Sequence, residues 1–153
     1  MTVKVTVEVN RKLTVNADID TVFTLLSDVN TAVSHFPNVQ ELTDLGDNTF
    51  RCEMEEISSG GYTVKTIYAC QYAVDSDAKT IVWTPVKGVG NGIVSGQWKL
   101  TAVETGTDIS FTTQAELTFP FPRLLKLVTS PIVKLEFTGM VDTYLSNLKE
   151  LWT

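Results

Sequence analysis

Histidine and cysteine are scarce, with one His and two Cys in 153 residues. A single histidine excludes a metal site built from several imidazoles, and no Ser-His-Asp pattern stands in a recognisable context. Two cysteines cannot make a disulfide framework. A chain of this length, able to bury roughly 68–70% of the surface its unfolded form exposes, does not depend on one. Positive charge is also short. Against 18 Asp+Glu there are 12 Lys+Arg, a formal net charge of -6, which argues against a nucleic-acid-binding face. No apolar run approaches the roughly 20 residues of a membrane helix. Met1 to Asn10 lacks the basic-then-apolar form of a signal peptide. Internal repeats, linkers and low-complexity tracts are missing as well. The expectation is one domain over residues 1–153, cytoplasmic, without nucleic-acid partner or stable membrane insertion.

What is present is patterned. Val3, Val5, Val7, Val9, Leu13 and Val15 alternate with polar residues, a long strand with one buried face, and Arg11 breaks the alternation. Ile19, Val22, Phe23 and Leu26 then fall on one helical stripe, with Asp18 as its cap and Asp20 in the first turn. A second short helix, about Asn30 to Phe36, ends at Pro37. Strands follow to Phe119: Asn38 to Leu45, Thr49 to Ser58, Tyr62 to Val74, Thr80 to Val86, one containing Val94 to Ala102, and Ile109 to Phe119. Gly46-Asp47-Asn48, Ser58-Ser59-Gly60-Gly61 and Asp75 to Lys79 supply turns between them. The C-terminal third is helical. Arg123 to Thr129 is read as two turns, and Ser130-Pro131 as a restart with a cap followed by proline at the first position. From Pro131 to Trp152 the helix would span about 33 Å.

Each strand has one apolar face, and the only apolar surface large enough to cover that sheet is the final helix. The expected fold is α+β: a curved antiparallel sheet of about seven strands wrapped around a long C-terminal helix, with two short helices after the first strand. A sheet that does not close fully on its helix leaves a cavity between them.

This order resembles the START-like, or SRPBCC, helix-grip superfamily of polyketide cyclase/dehydrase-like proteins, lipid-transfer proteins and pollen allergens. The resemblance is carried by Asp18-Ile19-Asp20-Thr21-Val22-Phe23 through Leu26-Ser27-Asp28, by Phe36-Pro37-Asn38-Val39 and by Ile81-Val82-Trp83. Gly92 to Leu100, Gly106-Thr107 and the apolar C-terminal helix complete it. It implies a hydrophobic ligand between sheet and helix, and some members resembling this chain are enzymes.

Candidate site residues follow. Phe50, Tyr68, Trp83, Trp98, Phe111, Phe137 and Tyr144 are expected to point inward, with Met54, Thr113 and Val141 between them. They make either a solid core or, as the resemblance implies, a cavity lining in which Tyr68, Thr113 and Tyr144 orient a ligand. At the mouth stand His35, Gly90, Phe121 and Leu124. The loop Gly88 to Gly92 precedes a strand, not a helix, so it does not cradle a nucleotide and reads as a turn or a flexible lip. The hairpin register places Cys52 opposite Cys70 if paired residue numbers sum to 122, or opposite Tyr68 if they sum to 120. Both cysteines are read as buried, reduced thiols, ahead of a disulfide between them or a metal or catalytic use. Glu53, Glu55 and Glu56 read as a solvated face beside Arg51 and Lys65, and no carboxylate stands on a clear inward parity. Gly139, inside the last helix, suggests close sheet approach or room for a ligand. Binding of a small hydrophobic or lipid-like molecule, with no cofactor or metal, is therefore expected ahead of a cyclase/dehydratase enzyme or an interaction module with a filled core.

Overall fold

The alternation of the first segment becomes strand β1 (Val3–Val15), in which Val3, Val5, Val7, Val9 and Val15 are buried, Arg11 and Leu13 half-buried and the residues between them exposed. Arg11 lies on the same inward parity. It is accommodated because its guanidinium reaches Asp142 on the last helix, Nε to Oδ1 2.8 Å. The computed structural model describes residues 2–59 and 61–152. After β1 come helices α1 (Ile19–Ser27) and α2 (Val29–Val33), then strands β2 (Val39–Gly46), β3 (Thr49–Met54), β4 (Ile57–Ser59), β5 (Tyr62–Val64), β6 (Ile67–Asp75), β7 (Thr80–Pro85), β8 (Gly92–Val103) and β9 (Gly106–Phe119). A 3-10 turn (Arg123–Leu125) leads into the long helix α3 (Lys126–Leu151).

Seven strands form one antiparallel sheet in the order β1-β9-β8-β7-β6-β3-β2. With α3 covering its apolar face, the fold is the expected α+β helix grip. The longest pairing joins β1 to β9, from Val3 opposite Phe119 to Val15 opposite Thr107. Asp47 and Asn48, with φ of 51° and 57°, turn β2 into β3 in the left-handed conformation that tight hairpins need. Helix α1 buries Val22, Phe23 and Leu26. Asp28 caps α2 by accepting from the Thr31 amide at 3.3 Å.

Three expectations change. The strands read as Thr49 to Ser58 and Tyr62 to Val74 are each broken, after Met54 and at Lys65-Thr66, which leaves β4 and β5 as a separate hairpin. Each break has a hydrogen-bonding cause in a residue distant in sequence. The Glu55 amide donates to the Asn38 carbonyl at 2.7 Å, and Asn91 takes the backbone of the second break. Its side chain accepts from the Ile67 amide at 2.9 Å and donates to the carbonyls of Lys65 at 2.8 Å and Thr118 at 3.0 Å. Helix α3, secondly, does not restart at Ser130-Pro131 but runs through it. Proline removes only the bond that the Leu127 carbonyl would accept, and this part of the helix faces water. Thirdly, Gly139 is exposed, and a Cβ there would meet nothing within 4 Å, so neither close sheet approach nor a ligand explains it.

Helix α3 is held at its C-terminal end. Besides the Arg11–Asp142 pair, the Asn147 side chain donates to the His35 carbonyl at 2.9 Å, and the Asn16 amide to the Trp152 carbonyl at 3.2 Å. Among the described residues no side-chain hydrogen bond or ion pair ties the first half of α3 to the sheet.

Candidate ligand cavity under the long helix

The inward parity of β6 to β9 delivers large rings to one place. Trp98 and Phe111, directly opposite across β8 and β9, have ring centroids 4.5 Å apart. Tyr144 of α3 meets Trp98 at 5.7 Å and Phe36 at 4.9 Å. Trp83 lies 5.7 Å from Phe111 and covers Gly96, where an added Cβ would stand 2.3 Å from the Trp83 ring. Glycine at this position is what lets the indole lie flat on the sheet.

These rings do not fill the space beneath α3. Three chambers run in series along the helix. The outer one lies between Tyr62, Phe121, Leu125 and Val128, and shares Val64, Ile132 and Val133 with the middle one. The middle chamber shares Phe36, Tyr68, Val94 and Phe137 with the inner one, which ends on Trp83, Trp98, Phe111, Thr113, Val141 and Tyr144. Counting all space free of atoms out to their openings, the outer, middle and inner chambers measure about 450, 650 and 620 Å³. The parts wide enough for the centre of a water molecule are much smaller, about 90, 50 and 60 Å³. They are narrow slots, and an occupant larger than a few waters would have to part α3 from the sheet.

Of the residues expected to line a cavity, Met54, Tyr68, Trp83, Trp98, Phe111, Thr113, Phe137, Val141 and Tyr144 all face the middle or inner chamber. Phe50 does not. It is buried behind them, its ring 5.9 Å from Tyr72. The residues expected at the mouth are scattered. Phe121 lines the outer chamber, whereas Leu124 points into solvent at 91% exposure. His35 is used through its carbonyl and faces none of the three chambers. Gly90 sits on the backbone of Ile67, where a Cβ would approach the carbonyl oxygen to 2.1 Å. Its loop is pinned there by Asn91, so it is not a loose lip.

Two carboxylates on the middle chamber escape sequence reasoning, Glu55 and Glu136. Both side chains are exposed, so they stand at the rim of the chamber. Glu55 keeps the solvent exposure that parity gives it, and the break after Met54 brings it to that rim. Glu136 carried a usable signal, an acid on the same α3 stripe as Val133, Phe137 and Met140. Glu53 does lie on the solvated face, with Lys65 at 3.1 Å and Arg51 at 3.4 Å.

The polar groups of the inner region are hydroxyls and thiols. The sheet register places Cys52 opposite Tyr68, the 120 sum, and the thiols of Cys52 and Cys70 are free. The Cys70 thiol donates to the Val94 carbonyl at 3.1 Å and the Thr113 hydroxyl to the Ser95 carbonyl at 3.0 Å, so neither has a proton left for a ligand, while the Thr113 oxygen can still accept. Burial, reinforced by Cys52, pushes the Cys70 thiol up to about 12. Burial likewise raises Tyr68, Tyr72 and Tyr144 above the ordinary phenol range, with nearby thiols adding to the effect on the first two. All four groups are neutral at pH 7. The Tyr72 and Tyr144 hydroxyls have no hydrogen-bond partner among the described residues, yet they are not sealed, since only Ser27 Oγ is both fully buried and unpartnered there. Both residues line the inner chamber. No three His, Cys, Asp or Glu side chains among the described residues gather in a metal-holding group.

Known proteins agree with this architecture. The TTHA0849 protein of Thermus thermophilus superposes with a TM-score of 0.69 at 18% identity, over 94% of each chain. A START superfamily protein from Mycobacterium smegmatis gives 0.66 at 12% identity, over 95% of this chain and 96% of its own. The Zhui aromatase/cyclase from Streptomyces sp. R1128 gives 0.61 at 13% identity, over 95% and 96%. No curated protein sequence matches the chain. The family model described as polyketide cyclase / dehydrase and lipid transport matches residues 2–152, so the chain belongs to that family.

Proposed function

We propose that the protein binds one small hydrophobic or amphipathic molecule, of lipid, isoprenoid or polyketide type, in the chambers under α3. The observation that carries this reading is a run of contiguous apolar chambers ending at two unpartnered donors, Tyr72 and Tyr144. An apolar body would gain affinity by leaving water, and an oxygen at its tip would accept from the tyrosines. Because those hydroxyls are held neutral, they orient a ligand and are poor bases. The narrowness of the slots means that loading widens them. Among the described residues the first half of α3 has no polar tether to the sheet, so moving it outward would break only apolar packing such as that of Val133. The test is native mass spectrometry of protein purified without delipidation, with thermal shift against fatty acids, isoprenoid alcohols and aromatic polyketides. One bound equivalent and a raised Tm are expected. No adduct and no shift across the panel would end this reading.

Glu55 and Glu136 favour a second reading, in which a reactive chain lying in the middle chamber is cyclised or dehydrated with a carboxylate as base. Glu55→Gln and Glu136→Gln would then abolish turnover of a polyketide-like substrate while leaving its binding intact. Equal turnover by both variants would remove the mechanism.

A further inference from the structure

A second feature lies outside the chambers. Leu124, Leu127, Val128 and Leu135 are 91%, 88%, 60% and 75% exposed. Spaced i, i+3, i+4 and i+11, they form one solvent-facing stripe along the 3-10 turn and the first half of α3. A soluble surface scatters such residues, and a continuous row of them marks a contact. The row borders the outer chamber, because Val128 belongs to both, and beside it the tilted rings of Tyr62 and Phe121 lie 5.1 Å apart.

The charge around the stripe selects the occupant. Residues 120–135 contain Arg123, Lys126 and Lys134 and no acid, whereas the remainder holds nine Lys+Arg against 18 Asp+Glu, a net of -9. All three cations are exposed. A second copy of the chain packed symmetrically on this stripe would set these cations against their own images, which is unfavourable. An anionic bilayer attracts the segment and repels the rest of the molecule, and so fixes its orientation.

We infer that the stripe docks reversibly on anionic lipid bilayers, with Leu124 and Leu127 entering the headgroup–acyl boundary and Arg123, Lys126 and Lys134 at the phosphates. No helix of the described residues is long and apolar enough to cross a membrane, so the contact is peripheral. Docking puts the outer chamber at the lipid surface, on the half of α3 that lacks tethers. This rests on the ligand-binding reading only for its purpose. The surface itself is argued from exposure and charge.

Flotation with vesicles of phosphatidylglycerol and phosphatidylcholine tests it, beside vesicles of phosphatidylcholine alone. The wild type is expected on the anionic vesicles and not on the neutral ones, with binding that weakens as salt is raised. Leu124→Glu combined with Leu127→Glu should lower binding at least tenfold, and Lys126→Glu about fivefold or more. Both changes lie on exposed side chains, so circular dichroism and Tm should match the wild type, which separates lost docking from lost folding. Docking is overturned if anionic and neutral vesicles bind equally, if the double variant floats like the wild type, or if light scattering shows a dimer that the double variant dissolves. Vesicle-free thermal shift separates the two claims. Vesicle binding without a panel ligand sinks the ligand reading alone, and a panel ligand without vesicle binding sinks the docking alone.

Discussion

Arg11 of β1 and Asp142 of α3, 131 residues apart in sequence, form a forked ion pair, with Nε to Oδ1 at 2.8 Å and the terminal nitrogen to Oδ2 at 3.5 Å. It joins the first strand of the sheet to the helix that the sheet surrounds. Its side chains are 39% and 53% exposed, so water competes with it. An exposed pair of this kind contributes about 0–1 kcal/mol. Arg11→Ala and Asp142→Ala should therefore each lower Tm by no more than about 4 °C. A double-mutant cycle should give a coupling below about 1 kcal/mol that shrinks in high salt. A coupling of several kcal/mol would mean that the pair, and not the apolar contact around it, holds α3 in place.

Asn91 has a larger part. Its side chain accepts from the Ile67 amide and donates to the Lys65 and Thr118 carbonyls, and so closes the gap between β5 and β6 against the end of β9. Asn91→Ala leaves these partly buried backbone groups unpaired, at a cost of about 1–3 kcal/mol. Asn91→Asp should be worse. It keeps the acceptor for Ile67 but turns a charged oxygen toward two carbonyls. Chemical denaturation of the two variants checks the order, and an aspartate variant more stable than the alanine would refute it.

The one-sided strands and the long apolar helix were legible because periods of two and 3.6 survive in sequence wherever one face is buried. Val3 to Val9 and Val133 to Tyr144 are plain examples. Strand parity put Met54, Tyr68, Trp83, Trp98, Phe111 and Thr113 on chamber walls, and the 3.6 period did the same for Phe137, Val141 and Tyr144. Phe50 shows the limit of parity, which separates inside from outside but not wall from the layer behind it. Glu55 shows another. A break made by the distant Asn91 and Asn38 brings this exposed residue to a chamber rim, and nothing in the adjacent sequence announces it. Ser130-Pro131 carries a strong start signal, yet the helix begins earlier, because an exposed first turn tolerates the carbonyl that proline leaves unpaired.

Alkaline pH should unfold the protein early. In an unfolded chain a cysteine ionises near about 8.5 and a tyrosine near about 10. In the fold, burial holds Cys70 up to about 12 and raises Tyr68, Tyr72 and Tyr144 as well. Between the unfolded and folded values the unfolded chain has shed protons that the folded chain keeps. Stability is therefore full below about pH 8.5 and falls as pH rises toward 12. Tm measured upward from about pH 8 should decline. The tyrosinate absorbance of these three rings should appear together with unfolding, not before it. Independent titration of the three in the folded protein would contradict their burial.

Tyr144→Phe separates the core from the cavity. If Tyr144 were only a core ring, nothing would change, since the phenyl group preserves the contacts with Trp98 and Phe36. Its hydroxyl has no protein partner among the described residues, so its removal leaves nothing stranded, and Tm should stay the same or rise. A ligand oxygen that accepts from this hydroxyl loses about 1 kcal/mol or more, which is at least roughly fivefold in Kd. Tyr144→Leu additionally removes ring contacts and should cost about 1–3 kcal/mol of stability. Titration of one oxygen-tipped ligand and its hydrocarbon analogue against both variants gives the decisive comparison. The phenylalanine variant should weaken only the oxygen-tipped ligand, and the leucine variant both. Unchanged affinity of the oxygen-tipped ligand in Tyr144→Phe would place the hydroxyl outside the ligand's reach, with the ring alone forming the wall.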